Sequence, residues 1–338
     1  MINLISDTVT IPTKGMIDAM FSAQVGDDVF NEDPSINELQ AKLAEMFNME
    51  AGLFCPSGTM TNQIAIKTHT NPMDELICDK QSHVYKYENG GYAYNSGIGI
   101  KLIEGSFGKV TADQVRAAVN PNYDWLPNSK LVVLENSCNS GGGTYYNYQE
   151  MLDISNTCRE LGLSIHLDGA RLFNVLVETK DSTKQIGNIF DSISICLSKG
   201  LGAPVGSVLL GNKTFIARAR KFRKAMGGGM RQAGYLAAAC TYALDHHIER
   251  LKIDNDRAKQ LGQTLAGCSY VESVLPVMTN IVIFKLKAQN TALEFVEILR
   301  SKGIIASAFG PQKVRFVTHL NIDESMISKT QEILKELS

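Results

Sequence analysis

Short apolar runs followed by turn residues alternate along this chain with longer stretches whose apolar positions recur every three or four residues. Continuous apolar runs bounded by turn residues predict buried strands. They stand at "GLFC" (52–55), "ELICD" (75–79), "KLVVLEN" (130–136), "LSIHLDG" (163–169), "SISICLS" (192–198) and "GSVLLG" (206–211). The helical period predicts amphipathic helices at "SINELQAKLAEMF" (35–47) and "YQEMLDISNTCRELG" (148–162). Ser35 followed three residues later by Glu38 reads as a capping box for the first, and Gly162 closes the second. This alternation predicts an α/β fold, a mostly parallel sheet wrapped by helices. After a long helical stretch (235–267) the rhythm changes to "NIVIFKL" (280–286), a helix (291–303), "KVRFVTHL" (313–320) and a last helix from Asp323. The expected division is a large unit over 1–250 and a small α+β unit over 251–338.

Composition narrows the class. With 338 residues, 44% of them hydrophobic, the chain can bury one large core or two unequal ones. A net charge of -2 offers no basic face for nucleic acid or anionic lipid. No apolar run approaches the ~18 residues that span a bilayer, and "MINLISDTVT" lacks the basic and apolar regions of a secretory signal. Seven cysteines are scattered without a C-x-x-C pair, and the six histidines lack a metal-ligand spacing. A soluble cytoplasmic protein with free thiols and no metal is expected, with a small molecule rather than nucleic acid or membrane as its partner.

Candidate chemistry begins at "ICLSKGLGAPVG" (195–206), where Lys199 ends an apolar strand among glycine, alanine and proline. It reads either as a solvated turn lysine or as a desolvated amine nucleophile able to form a Schiff base. In "IHLDGARLFN", Asp168 ends another strand, as a helix cap or as a buried carboxylate needing a cation, with Arg171 three residues on. An aspartate facing a pyridinium nitrogen beside a Schiff-base lysine is what pyridoxal phosphate requires. A phosphate needs a cradle. "CPSGTMTNQIAI" passes from strand to helix through Gly58 and Thr59, and "RKAMGGGMRQAG" offers Lys224, three glycines and Arg231. By itself the "SGT" of the first cradle is a weak signal and reads more readily as an ordinary capped helix.

Taken in order, "SDTVT", "VGDDVFNEDPSINELQ", "PSGTMTN", "HLDGARLFN", "ICLSKGLGAPVGS", "GGGMRQAG" and "VRFVTHL" resemble the motifs of the threonine aldolase family, from residue 3 to about 320. The resemblance implies a pyridoxal-phosphate enzyme of the aspartate-aminotransferase fold (fold type I) with an N-terminal arm. It implies retro-aldol cleavage of L-threonine or L-allo-threonine to glycine and acetaldehyde, with low specificity. It further implies Lys199 as the Schiff-base lysine, Asp168 at the pyridine nitrogen and Arg171 near the phenolic oxygen. Gly58, Thr59 and Arg231, assisted by Lys224, would hold the phosphate, Arg231 from a neighbouring subunit. His83, in "KQSHVYKYENGG", would stack on the ring near the substrate, and Ser6 with Arg315 would bind the substrate carboxylate. The family is usually a tetramer with sites shared across a dimer.

Two positions depart from the family pattern. "LENSCNSGGGTYYN" carries Cys138 where the family histidine contacts the β-hydroxyl, followed by Gly141 to Gly143, and Ile5 replaces a common arginine. A thiol is a poor hydroxyl partner. Cys138 is therefore expected at the substrate, with either His83 alone handling the proton or a different β-substituted substrate preferred. The competing readings are a related β-eliminating lyase and a cofactor-binding protein without turnover.

Overall fold

The computed structural model describes residues 1–289 and 291–338. Seven strands form the large sheet: β1 (Ala51–Cys55), β2 (Asp74–Asp79), β3 (Gly99–Ile103), β4 (Asn128–Glu135), β5 (Ser164–Gly169), β6 (Ser192–Cys196) and β7 (Ser207–Gly211). Their order is β1-β7-β6-β5-β4-β2-β3, parallel throughout except for β7, which runs antiparallel to both neighbours. Strands β2, β6 and β7 are buried along their length, and β5 from its second residue on, which is why they read as continuous apolar runs. Strand β3 went unpredicted because it is a sheet edge whose residues are mostly exposed.

Helices α1 (Pro34–Met46), α2 (Gly58–His69), α3 (Tyr148–Glu160), α4 (Lys213–Ala225) and α5 (Gly234–His246) belong to this layer. The start of α1 differs from expectation. Asp33 is its cap, accepting from Ile36 N, and Pro34 occupies the first turn, while the Ser35 hydroxyl donates to Gln24 O at 2.7 Å. At the far end of α3, Gly162 adopts φ 66° as expected of a glycine stop. The expected helical stretch over 235–267 is broken into α5 and α6 (Leu251–Ala266), and in the break His247 Nδ1 lies 2.7 Å from Leu201 O.

A second sheet of β8 (Val271–Val274), β9 (Ile281–Leu286), β10 (Ser307–Ala308) and β11 (Lys313–Val317) is antiparallel in the order β10-β11-β9-β8. It packs with α6, α7 (Ala292–Ser301) and α8 (Glu324–Glu336) around a separate apolar core. That core includes Ile2 and Leu4, because residues 2–3 pair in parallel with residues 304–305. The first residues thus fold with the last third of the chain. Among the described residues no helix is long and apolar enough to cross a membrane.

Candidate active site

Three strands end side by side. Glu135 of β4 is in register with Asp168 of β5, and Asp168 with Ser194 of β6, whose continuation carries Lys199. Strand ends of an open α/β sheet are where such folds gather ligands. Asp168 is buried and accepts from Asn62 Nδ2 at 2.9 Å and Ala170 N at 3.1 Å. No lysine or arginine pairs with it among the described residues. His166, on the same strand, is pulled down to about 4 by burial and is neutral.

A cavity of about 620 Å³ opens above these ends, and Ser6, His83, Arg171, Lys199 and Arg315 all line it. Five predicted site residues from five separate segments therefore meet. Buried Arg171 forms a fork with Asp7, Nε to Oδ2 and Nη2 to Oδ1, both 2.7 Å. Burial pushes the Asp7 carboxyl up, but the Arg171 charge and its hydrogen bonds hold it at about 2. Arg315 donates to Asn139 Oδ1 at 3.0 Å and to Ile5 O at 3.2 Å, and its buried Nε has no partner. Burial and the Arg171 guanidinium disfavour the charge on Arg315. An anion in the cavity would relieve that imbalance.

Behind His83 lies a buried polar cluster. His83 Nδ1 is 2.8 Å from Glu88 Oε1, and the same oxygen accepts from Asn62 Nδ2 at 2.8 Å. Gln63 Nε2 donates to Glu88 Oε2 at 2.6 Å. Glu135 accepts from His83 N and Asn139 N, both 2.8 Å, and burial together with the Asp168 charge lifts it to about 7. Burial lowers the His83 imidazole, but Glu88, Asp168 and Glu135 outweigh it and set the pKa above the ordinary value.

The remaining expected residues lie outside this cavity. Gly58 and Thr59 open α2, where the first amides have no intrahelical acceptor. Asn62, one turn further, touches Asp168, so this helix start lies about 6 Å along the axis from the Asp168 contact. A Cβ on Gly58 would meet nothing nearer than Cys196 Cβ at 4.0 Å, so the fold itself does not demand glycine there. Arg231 is 70% exposed, 3.8 Å from Asp27, and neither it nor Lys224 lines the cavity. Gly228, between them, packs against Met60 of the first turn of α2.

Cys138, expected at the substrate, does not line this cavity. Its side chain is buried and its thiol points to Glu135 O at 3.1 Å and Gly108 O at 3.4 Å, away from the cavity. A backbone bridge to Thr144 fixes that direction, and the next residue, Asn139, reaches the cavity instead. Sequence reasoning missed Asp7, Glu88 and Asn139. Asp7 and Asn139 adjoin Ser6 and Cys138, and Glu88 lies within "KQSHVYKYENGG", five residues after His83, so sequence proximity is the signal that points to all three.

The family model described as "Beta-eliminating lyase" matches residues 3–289. The low specificity L-threonine aldolase of Escherichia coli (strain K12) is 37% identical over 330 residues, covering 97% of each chain. The solved threonine aldolase of Leishmania major superposes with TM-score 0.87 at 21% identity, covering 100% of this chain and 99% of that one. A structure described as "SPT with PLP internal aldimine" superposes with TM-score 0.78 at 16% identity, over 99% of this chain and 86% of that one. The chain shares the fold of these proteins, fold type I.

Proposed function

We propose a reaction from one premise: the chain belongs to the beta-eliminating lyase family. It cleaves L-threonine and L-allo-threonine to glycine and acetaldehyde, with low specificity among β-hydroxy-α-amino acids, and uses pyridoxal phosphate. The observation that carries this is the match to a low specificity L-threonine aldolase over 97% of both chains. The convergence of Ser6, His83, Arg171, Lys199 and Arg315 on one cavity supports it.

The residues present fit the cofactor. A buried carboxylate with no lysine or arginine partner among the described residues, Asp168, suits a pyridinium nitrogen. The amides of Gly58 and Thr59, with space where a Cβ would sit, suit a phosphate. Lys199 supplies the amine at the cavity wall. When bound, pyridoxal phosphate supplies an electron sink for the pair released from the Cα–Cβ bond.

The chain's own groups do the rest. Arg315 and Ser6 bind the substrate carboxylate, and Asn139 holds the Arg315 fork in place. Fixing the carboxylate sets which bond at Cα faces the sink. His83 Nε2, free because Nδ1 is occupied by Glu88, takes the β-hydroxyl proton. Arg171, tied to Asp7, presents its charge at the cavity and anchors the Ser6 segment.

Arg231, assisted by Lys224, serves the phosphate of a neighbouring subunit in a tetramer, a role its exposure supports. The two apolar cores support a division near residue 250, and seven free cysteines support the cytoplasm. The test is product analysis. Acetaldehyde from L-threonine is expected, and ammonia from L-serine in its place would shift the reading to β-elimination. Lys199→Ala should lose the borohydride-reducible bond to the cofactor; a variant that still forms it in full yield points to another lysine.

A further inference from the structure

Glu88 is a buried carboxylate with no lysine or arginine within salt-bridge distance among the described residues. Its donors are Asn62 Nδ2, Gln63 Nε2 and His83 Nδ1. Two amides are neutral, so His83 is the only partner able to bring a proton or a charge. A carboxylate accepts, so the Nδ1 facing it carries the hydrogen. That leaves Nε2 as the nitrogen whose protonation changes, and His83 lines the cavity.

We propose that Glu88 is a positioning residue for the cleavage: it holds His83 in the Nδ1–H tautomer, so that a lone pair on Nε2 receives the substrate's β-hydroxyl proton. The inference rests on the threonine-cleaving reading. Its logic is that of a carboxylate orienting a histidine base, where the wrong tautomer removes the base without moving the ring. As the O–H bond breaks, its electron pair becomes the second bond of the aldehyde carbonyl. With the cofactor bound, the Cα–Cβ pair would pass to the sink it supplies, and the proton on Nε2 would be available for Cα of the glycine product. The net change moves one proton from oxygen to carbon and consumes no oxidant.

Asn62 gives the arrangement a second end. One amide group donates to both Glu88 Oε1 and Asp168 Oδ2. Its carbonyl lies 3.2 Å from His166 Nε2, which fixes the amide's orientation. The carboxylate behind the base and the carboxylate beneath the cofactor site are thereby held by a single side chain. Other groups near His83 are Asp168 and Glu135, which favour its protonated form, and Lys86, Arg171, Lys199, Arg315 and Tyr87, which line the same cavity. Glu88 favours the protonated form as well, so it acts both on which nitrogen titrates and on where it does.

The experiment uses the full holoenzyme labelled with ¹⁵N-histidine, His83 being assigned by loss of its signals in His83→Asn. In the wild type, the neutral His83 ring should show Nδ1–H. Glu88→Gln should move it toward Nε2–H, because the amide nitrogen can donate to Nδ1 where the carboxylate could only accept. kcat should fall about 10²–10⁴-fold with KM and cofactor affinity within about threefold. The acidic limb of the kcat profile should shift to lower pH, and Glu88→Asp should restore part of the rate. A wild-type ring bearing hydrogen on Nε2 overturns the proposal even if Glu88→Gln fails to fold. So does a Glu88→Gln enzyme with unchanged tautomer and pH profile. A wild type that releases no acetaldehyde overturns the functional reading instead, and leaves the tautomer result standing.

Discussion

Arg171 and Asp7, 164 positions apart in the chain, grip each other through two parallel 2.7 Å hydrogen bonds in a buried fork at the wall of the cavity. Asp7 also accepts from Asn280 Nδ2 at 3.1 Å, so one carboxylate ties together the large sheet, the second sheet and the segment bearing Ser6. Asp7→Asn should destabilise the protein by about 3–5 kcal/mol, because it strands a buried guanidinium. Thermal denaturation checks this, and a loss under about 1 kcal/mol would mean Arg171 finds another anion.

The same pair sets an acid limit. With the Asp7 carboxyl held at about 2, below its ordinary value, its stabilisation is complete above the unfolded value and drains away as pH falls toward 2. The melting temperature of the wild type should therefore drop between about pH 4 and pH 2, with a shallower drop in Asp7→Asn. Parallel curves for the two proteins would show that other carboxylates dominate.

Gly58→Ala separates fold from cofactor. Its new Cβ meets only Cys196 Cβ, at an unstrained 4.0 Å, and alanine lowers the entropy of the unfolded chain, so the apoprotein should be equally stable or up to about 1 kcal/mol more so. If the phosphate sits on these amides, the dissociation constant for pyridoxal phosphate should rise about tenfold or more. Unchanged affinity, measured by fluorescence titration of the apoprotein, would move the phosphate elsewhere.

Asn139→Ala removes the acceptor of Arg315 Nη1. A hydrogen bond to a charged group contributes about 1.5–3 kcal/mol, so KM for L-threonine should rise about tenfold or more while cofactor affinity holds. Arg315→Ala should raise KM further. Equal loss of cofactor binding in either variant would mark the role as structural.

Cys138→His, which the family pattern suggests as a repair, should not improve threonine cleavage. The thiol lies against Gly108 in a buried turn, so an imidazole there is overpacked and should cost about 1–3 kcal/mol of stability. A rate gain or altered diastereomer preference with an unchanged melting temperature would mean that the loop turns the side chain into the cavity.

The large sheet was legible because buried strands carry continuous apolar runs, and Lys199 because an apolar strand ending in lysine conflicts with burial. What the sequence hid were partners. Asp33 rather than Ser35 caps α1, since the true start depends on where Pro34 admits the first turn. Cys138 and Asn139 are adjacent, and of the two only Asn139 lines the cavity, Cys138 being bridged to Thr144. The Asp7–Arg171 fork and the Asn62 link between Glu88 and Asp168 join distant segments, and no local pattern encodes them.

The pairing of residues 2–3 with residues 304–305 also imposes an order in time. A chain is made from its first residue, and its domains fold as they emerge. Ile2 and Leu4 precede their core partners Val314 and Phe316 by more than three hundred positions. The carbonyl of Ile5, next to Ser6, cannot accept from Arg315 until β11 exists. Until β11 is made, the large sheet therefore stands beside an unfinished cleft, because Arg315 and the segment around β10 form part of the cavity wall. The pocket is closed last, by the part of the chain that is made latest among its walls.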